Sequence, residues 1–229
     1  MNRKYKALII GATGATGRTL VRELGERKHF SEIAVIVRRE LEEWSTIGKD
    51  KLKVYKVEDL DELASGDWSF LNGYDACFNT LGTHIIAPKN QMKTVNLDYA
   101  ILSGKLAKNL GIRYYGYLSG MGANPNSLIY LAKIKGLAEK EIAEMGFEHF
   151  STFRIRSIRD RNNEKDVRAM DKVLALIPFK ALSLETKDLA EVLIHDCLIH
   201  LGQTEPDYET SVLSGGDMVS ILRNNSNQN

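Results

Sequence analysis

The stretch Gly11-Ala-Thr-Gly14-Ala-Thr-Gly17 restricts this chain more than any other part of it. Ahead of it, residues 5–10 end in an apolar run that reads as a buried strand. Behind it, Leu20, Val21 and Leu24 fall at helical spacing. A strand, a glycine turn and a helix in that order make a dinucleotide-phosphate site. Gly11 permits the tight turn, Gly14 lets backbone approach a pyrophosphate, and Gly17 lets the helix lie close to the sheet. The helix start offers free N–H groups and a partial positive charge to the anion. Gly11, Thr13, Gly14, Ala15, Thr16 and Gly17 are therefore the expected phosphate cradle.

Residues 33–37, Ile-Ala-Val-Ile-Val, read as a second strand and end in Arg38-Arg39. About 20 residues beyond the turn, an acidic side chain would hold the ribose 2′-hydroxyl of NAD. Two guanidiniums stand there instead, and a guanidinium can fork two bonds to a phosphate. This points to NADP(H), held by Arg38 and Arg39, with Arg18 as a candidate third partner.

Further strands are expected at 52–57, within 74–83 together with an exit loop, and at 113–118 and 147–153. Helices are expected at 95–110, stopped by Gly111, and at 128–145, after a capping turn at 124–127. Such alternation predicts an α/β fold with a doubly wound parallel sheet, an NAD(P)-binding Rossmann-like domain over 1–222. A smaller C-terminal lobe from about 155 would form a substrate or lid region, followed by a polar tail at 223–229. Within that lobe we expect a charged run at 159–166, a helix at 170–177 and a short strand at 181–184. Thr186 would cap a helix over 188–200, and Ser214 one ending at Leu222. Strand ends on the crevice side meet the ligand, which places Thr80, Leu81, Gly82 and Thr83 at the second ribose and the nicotinamide. His84, His195 and His200 read as surface or packing residues, and the acids at 58–62 as solvated helix caps.

A formal net charge of +1 argues against a general nucleic-acid or membrane-surface binder. Cys77 and Cys197 lie in separate apolar segments and read as buried thiols. No apolar run approaches the roughly 18 residues of a membrane span, and no Cys/His spacing resembles a zinc site. The first strand begins too early to leave room for a leader, so a cytoplasmic or nuclear location is expected.

The motifs Gly11–Gly17, Val37-Arg-Arg39, Thr80-Leu-Gly-Thr83, Leu118-Ser-Gly-Met-Gly-Ala123 and Lys135-Gly-Leu-Ala-Glu139 resemble, in order, an atypical short-chain dehydrogenase/reductase. The branch is that of the HIV Tat-interacting-protein oxidoreductases, and the resemblance runs from about residue 8 to 154. It implies a reaction carried by a Tyr that exchanges the substrate proton. A Lys four residues later would bind the nicotinamide ribose, and a Ser after the fifth strand would orient a carbonyl. Ser119, Tyr130 and Lys135 are the candidates. Leu131, however, stands four residues before Lys135, while Tyr130 stands five before it. On an unbroken helix this turns the phenol roughly 140° away, although Lys133 would share its face. The family's second serine is Gly120 here, and Ile155 replaces a proline after the sixth strand. Two readings stay open at this point. One is an NADPH-dependent reductase of a small carbonyl compound. The other is an inactive NADP(H)-binding sensor that acts through a protein partner.

Overall fold

The computed structural model describes residues 3–47, 50–83, 86–158, 183–206, 208 and 210–226. Its centre is a parallel sheet in the order β3-β2-β1-β4-β5-β6-β9. The strands are β1 Tyr5–Ile10, β2 Phe30–Val37, β3 Leu52–Lys56, β4 Ala76–Asn79, β5 Tyr114–Gly120, β6 His149–Ile155 and β9 Thr210–Leu213. The order reverses between β1 and β4, and a crevice opens at the carboxyl ends of these strands.

Two apolar layers sandwich the sheet. Ala7 and Ile9 of β1 face the layer built by α1 (Ala15–Glu26) and α6 (Thr186–Gly202), where Leu20, Leu24, Leu189 and Leu193 are buried. Leu8 and Ile10 face the other layer, built by α4 (Tyr99–Asn109) and α5 (Tyr130–Ala143). The period-two alternation of the strand thus feeds both faces, which is why its last four residues are all apolar. The short helix α2 covers Glu62–Ser65.

Several boundaries differ from expectation. The helix expected at 95–110 begins earlier, as α3 (Lys89–Lys93), and reaches α4 through a π turn at Thr94–Asp98. Helix α5 begins at Tyr130, two residues later than expected. Ser127 Oγ accepts the Ile129 N–H at 3.1 Å, closing a turn ahead of the helix instead of capping it. Thr186 does not cap α6; it is the first helical residue, behind Glu185. Ser214 does precede a helix, α7 (Gly215–Ser226), and its hydroxyl and N–H both engage Asp217. That helix runs past Leu222 into the expected tail.

The short strand expected at 181–184 appears as β8 (Ser183–Leu184), pairing with β7 (Ser157–Ile158). Strand β9 was not expected, because a four-residue, half-exposed segment carries almost no pattern. With α6 packed on α1 and β9 on β6, most of the described C-terminal third completes the main sandwich. His84, the charged run at 159–166 and the helix expected at 170–177 lie outside the described residues.

Candidate functional site

The glycine elbow follows β1 directly. Gly11 has φ = +89°, a conformation that L side chains avoid. A Cβ at Gly17 would sit 2.2 Å from Gly11 O and 2.7 Å from Ala12 Cα, so α1 can approach the turn only through glycine. Gly14 differs. A Cβ there would meet nothing closer than Gly11 O at 3.4 Å, and its open side faces outward. Two of the three glycines are thus demanded by the protein's own packing, while Gly14 keeps a cradle free.

The first backbone bond of α1 runs from Arg18 N to Gly14 O at 2.9 Å. The N–H groups ahead of it are uncommitted within the helix, and no acid lies in the first turn. Thr16 Oγ1 is buried without a hydrogen-bond partner among the described residues. Donors without acceptors, a helix N-terminus and an open glycine fit an anionic diphosphate.

Arg38 and Arg39 follow β2 and are both exposed. Arg38 lies within electrostatic reach of Asp59, whose carboxyl is held below its usual range first by the Tyr99 hydroxyl at 2.6 Å and then by backbone N–H groups. Burial and that same bond push the Tyr99 phenol up to about 12. Arg18 turns instead toward Glu43, 3.8 Å away, beside a polar cavity of about 350 Å³ on the flank of α1.

The β4 exit loop is set by a residue the sequence reading overlooked. Asn79 donates through Nδ2 to Ser103 Oγ at 2.7 Å and to the Tyr115 hydroxyl at 3.1 Å, while its Oδ1 accepts the Leu81 N–H at 3.0 Å. Thr80, expected at the second ribose and the nicotinamide, braces the elbow. Its hydroxyl donates to Ile10 O at 3.2 Å and lies where Cβ atoms on Gly11 and Gly17 would fall. Leu81 packs partly into the core, and Gly82 is exposed.

At the end of β5, Ser119 is buried and its Oγ has no partner among the described residues. Lys135, also buried, donates from Nζ to Leu118 O at 3.1 Å and lies 5.2 Å from the Tyr117 ring centroid. A Cβ at Gly136 would lie 2.4–2.5 Å from the backbone of Asn124 and Pro125, so the glycine after Lys135 lets that loop cross α5. One turn on, Glu139 is clamped by Arg154 through contacts of 3.1 and 2.5 Å. Tyr130 is elsewhere. Its hydroxyl lies 3.4 Å from Lys89 O, with the Lys89 ammonium over its ring. The structure thus gathers Ser119 and Lys135 at the β5 end and directs Tyr130 toward α3.

The chain has the NAD(P)-binding Rossmann fold of the short-chain dehydrogenases. Across 94% of its length it superposes on a short chain dehydrogenase family protein from Francisella tularensis, covering 99% of that chain with a TM-score of 0.63 and 14% identity. It also superposes on MoeE5 in complex with UDP-glucose and NAD over 97% of this chain and 82% of that one, with a TM-score of 0.66 and 14% identity. Its sequence homologues are the atypical short-chain dehydrogenase/reductases HTATIP2 and FMP52, as the motifs imply. Identity to HTATIP2 of Rattus norvegicus is 32% over 151 residues, 64% of this chain and 60% of that protein. Identity to "Protein FMP52, mitochondrial" of Eremothecium gossypii is 30% over 147 residues, 62% and 61% of the two chains. The match therefore spans about three-fifths of these relatives' length. No protein-family model matches the chain.

The names of several fungal relatives overturn the expected cytoplasmic or nuclear location, since they carry a mitochondrial address. The expectation rested on free thiols, low net charge and an early strand, none of which distinguishes one reducing compartment from another. Both cysteines are indeed buried and unpaired, and among the described residues no helix is long and apolar enough to cross a membrane.

Proposed function

We propose that this protein binds NADP(H) and works chiefly as a cofactor-loaded sensor or regulatory module. The phosphate end supports the cofactor. An open glycine, uncommitted N–H groups and the orphaned Thr16 hydroxyl suit the diphosphate. Arg38 and Arg39, at the end of β2, suit a 2′-phosphate and leave no carboxylate for a free 2′-hydroxyl. The cofactor would supply or store a hydride when bound. The chain's own residues hold it, and Lys135 places a positive charge at the crevice end of β5.

The observation that carries the sensor reading is the separation of Tyr130 from Lys135. The phenol leans on Lys89 O while the ammonium is directed at Leu118 O. Absence of a positioned acid costs a factor of roughly 10²–10⁴ in rate. The reductase reading retains one supporting feature, the unpartnered Ser119 hydroxyl beside Lys135, which could orient a carbonyl. By their names, the fungal relatives favour a mitochondrial setting for this protein also.

Titration with NADPH and NADH, followed by NADPH-oxidation assays on aldehydes, ketones and quinones, tests both parts. We expect saturable binding, tighter for NADPH, with negligible turnover. Turnover that disappears in Tyr130→Phe would establish the reductase instead, and absence of any NADPH binding would remove both readings.

A further inference from the structure

A line of buried contacts joins Lys135 to the β4 exit loop. The Lys135 ammonium rests over the Tyr117 ring, and the Tyr117 hydroxyl donates to Asn96 O at 3.1 Å. Asn96 lies in the π turn, where the widened helical turn presents its carbonyl to β5. The Asn96 side chain then donates to Thr83 Oγ1 at 2.8 Å and to Met92 O at 2.9 Å. Its Oδ1 is buried without a partner among the described residues and lies 3.8 Å from where a Gly82 Cβ would be. Tyr117 and Asn96 are both fully buried. Burial and the nearby Glu139 carboxylate push the Tyr117 phenol far up, so it stays a neutral donor.

We infer that Tyr117 is a positioning residue. It seats Lys135 and ties that lysine, through Asn96, to Thr83, so that the two walls over β4 and β5 form one unit for the nicotinamide half of the dinucleotide. The inference rests on the NADP(H) reading. With phosphates on the β1 elbow and a 2′-phosphate at the end of β2, the other half must extend across the sheet order over β4 and β5. The unit lies there, on the opposite side of the elbow from Arg38.

Calorimetric titration of wild type, Tyr117→Phe and Thr83→Val with NADPH and with 2′,5′-ADP separates the halves. Tyr117→Phe keeps the ring and deletes the donor to Asn96 O. NADPH affinity should fall about tenfold while 2′,5′-ADP affinity stays within about twofold. Thr83→Val, which cuts the other end of the line near the surface, should give the same selective loss. The double variant should lose less than the two single losses combined, because the residues act through one network. Equal loss for both ligands, or no loss for either, overturns the inference. So does a wild type that binds both probes equally well, although the NADP(H) reading would then survive. A wild type that binds neither probe defeats that reading and this inference with it.

Discussion

The two ends of the crevice are built from the same materials and differ in what each has kept. At the elbow, Gly11, Gly17, a helix N-terminus and a bracing threonine fit so tightly that a Cβ cannot be added to either glycine, while Gly14 stays open. At the β5 end, the lysine, the loop that crosses α5 and the Glu139–Arg154 clamp are equally well packed, yet the tyrosine lies against another element. Packing alone does not preserve chemistry. A lysine can be held in place by its neighbours whatever lies opposite it, because burial and hydrogen bonding stabilise it regardless of turnover.

The largest expected effects are at the elbow. Gly17→Ala should destabilise the protein by about 3 kcal/mol or more, since its Cβ collides with backbone, as thermal denaturation would register. Gly14→Ala should leave the melting temperature nearly unchanged and still weaken NADPH binding at least tenfold. If both glycines behave alike, the division into a packing glycine and a cradle glycine is wrong.

Next in size is the clamp. Glu139→Gln should cost about 1.5–3 kcal/mol in chemical denaturation, the range for a hydrogen bond to a charged group. A similar figure applies to ligand binding at Arg38. Arg38→Ala should weaken NADPH about tenfold to a hundredfold and NADH far less. Equal losses would show that Arg38 does not read the 2′-phosphate.

A smaller effect concerns acid stability. The Asp59 carboxyl has a folded-state pKa below its unfolded value, mainly through the Tyr99 hydroxyl. Its contribution is therefore complete above the unfolded value of about 3.9 and fades as pH falls through the lower folded value. Tyr99→Phe should flatten the acid limb of the stability curve below about pH 4 and leave stability at pH 7 less affected than Glu139→Gln does. The smallest expected change is at Tyr130. Tyr130→Phe removes only a 3.4 Å contact at a half-buried site and should alter stability by less than about 0.5 kcal/mol. A large effect on NADPH oxidation would reverse our ordering of the two crevice ends.

Legibility in the sequence followed locality. The elbow could be read because strand, turn and helix are contiguous and two of its glycines answer to nearby atoms. The doubly wound sheet could be read because apolar runs alternate with helical spacing through residue 153. The five-residue step from Tyr130 to Lys135 also pointed to a displaced phenol, since helical phase is a local property. Asn79, Asn96 and Tyr117 were not legible. Asn79 meets Ser103 and Tyr115, 24 and 36 residues away, Tyr117 meets Asn96 from 21 residues away, and nothing near them in the chain marks a polar group that will be buried. The π turn was hidden for a related reason, because apolar periodicity continues on both sides of it. The bond from Thr80 to Ile10 O was not legible either, because spacing does not say which backbone group a side chain meets.

The crossing of backbone over Gly136 makes α5 behave like a screw held at one thread. An added residue ahead of that point cannot be absorbed by advancing the helix, since the lysine end has no freedom to turn. It must instead spin the leading turn by about 100°, and the phenol goes with it. Deleting Lys133 should reverse that spin and bring the phenol round to the lysine's side of the helix.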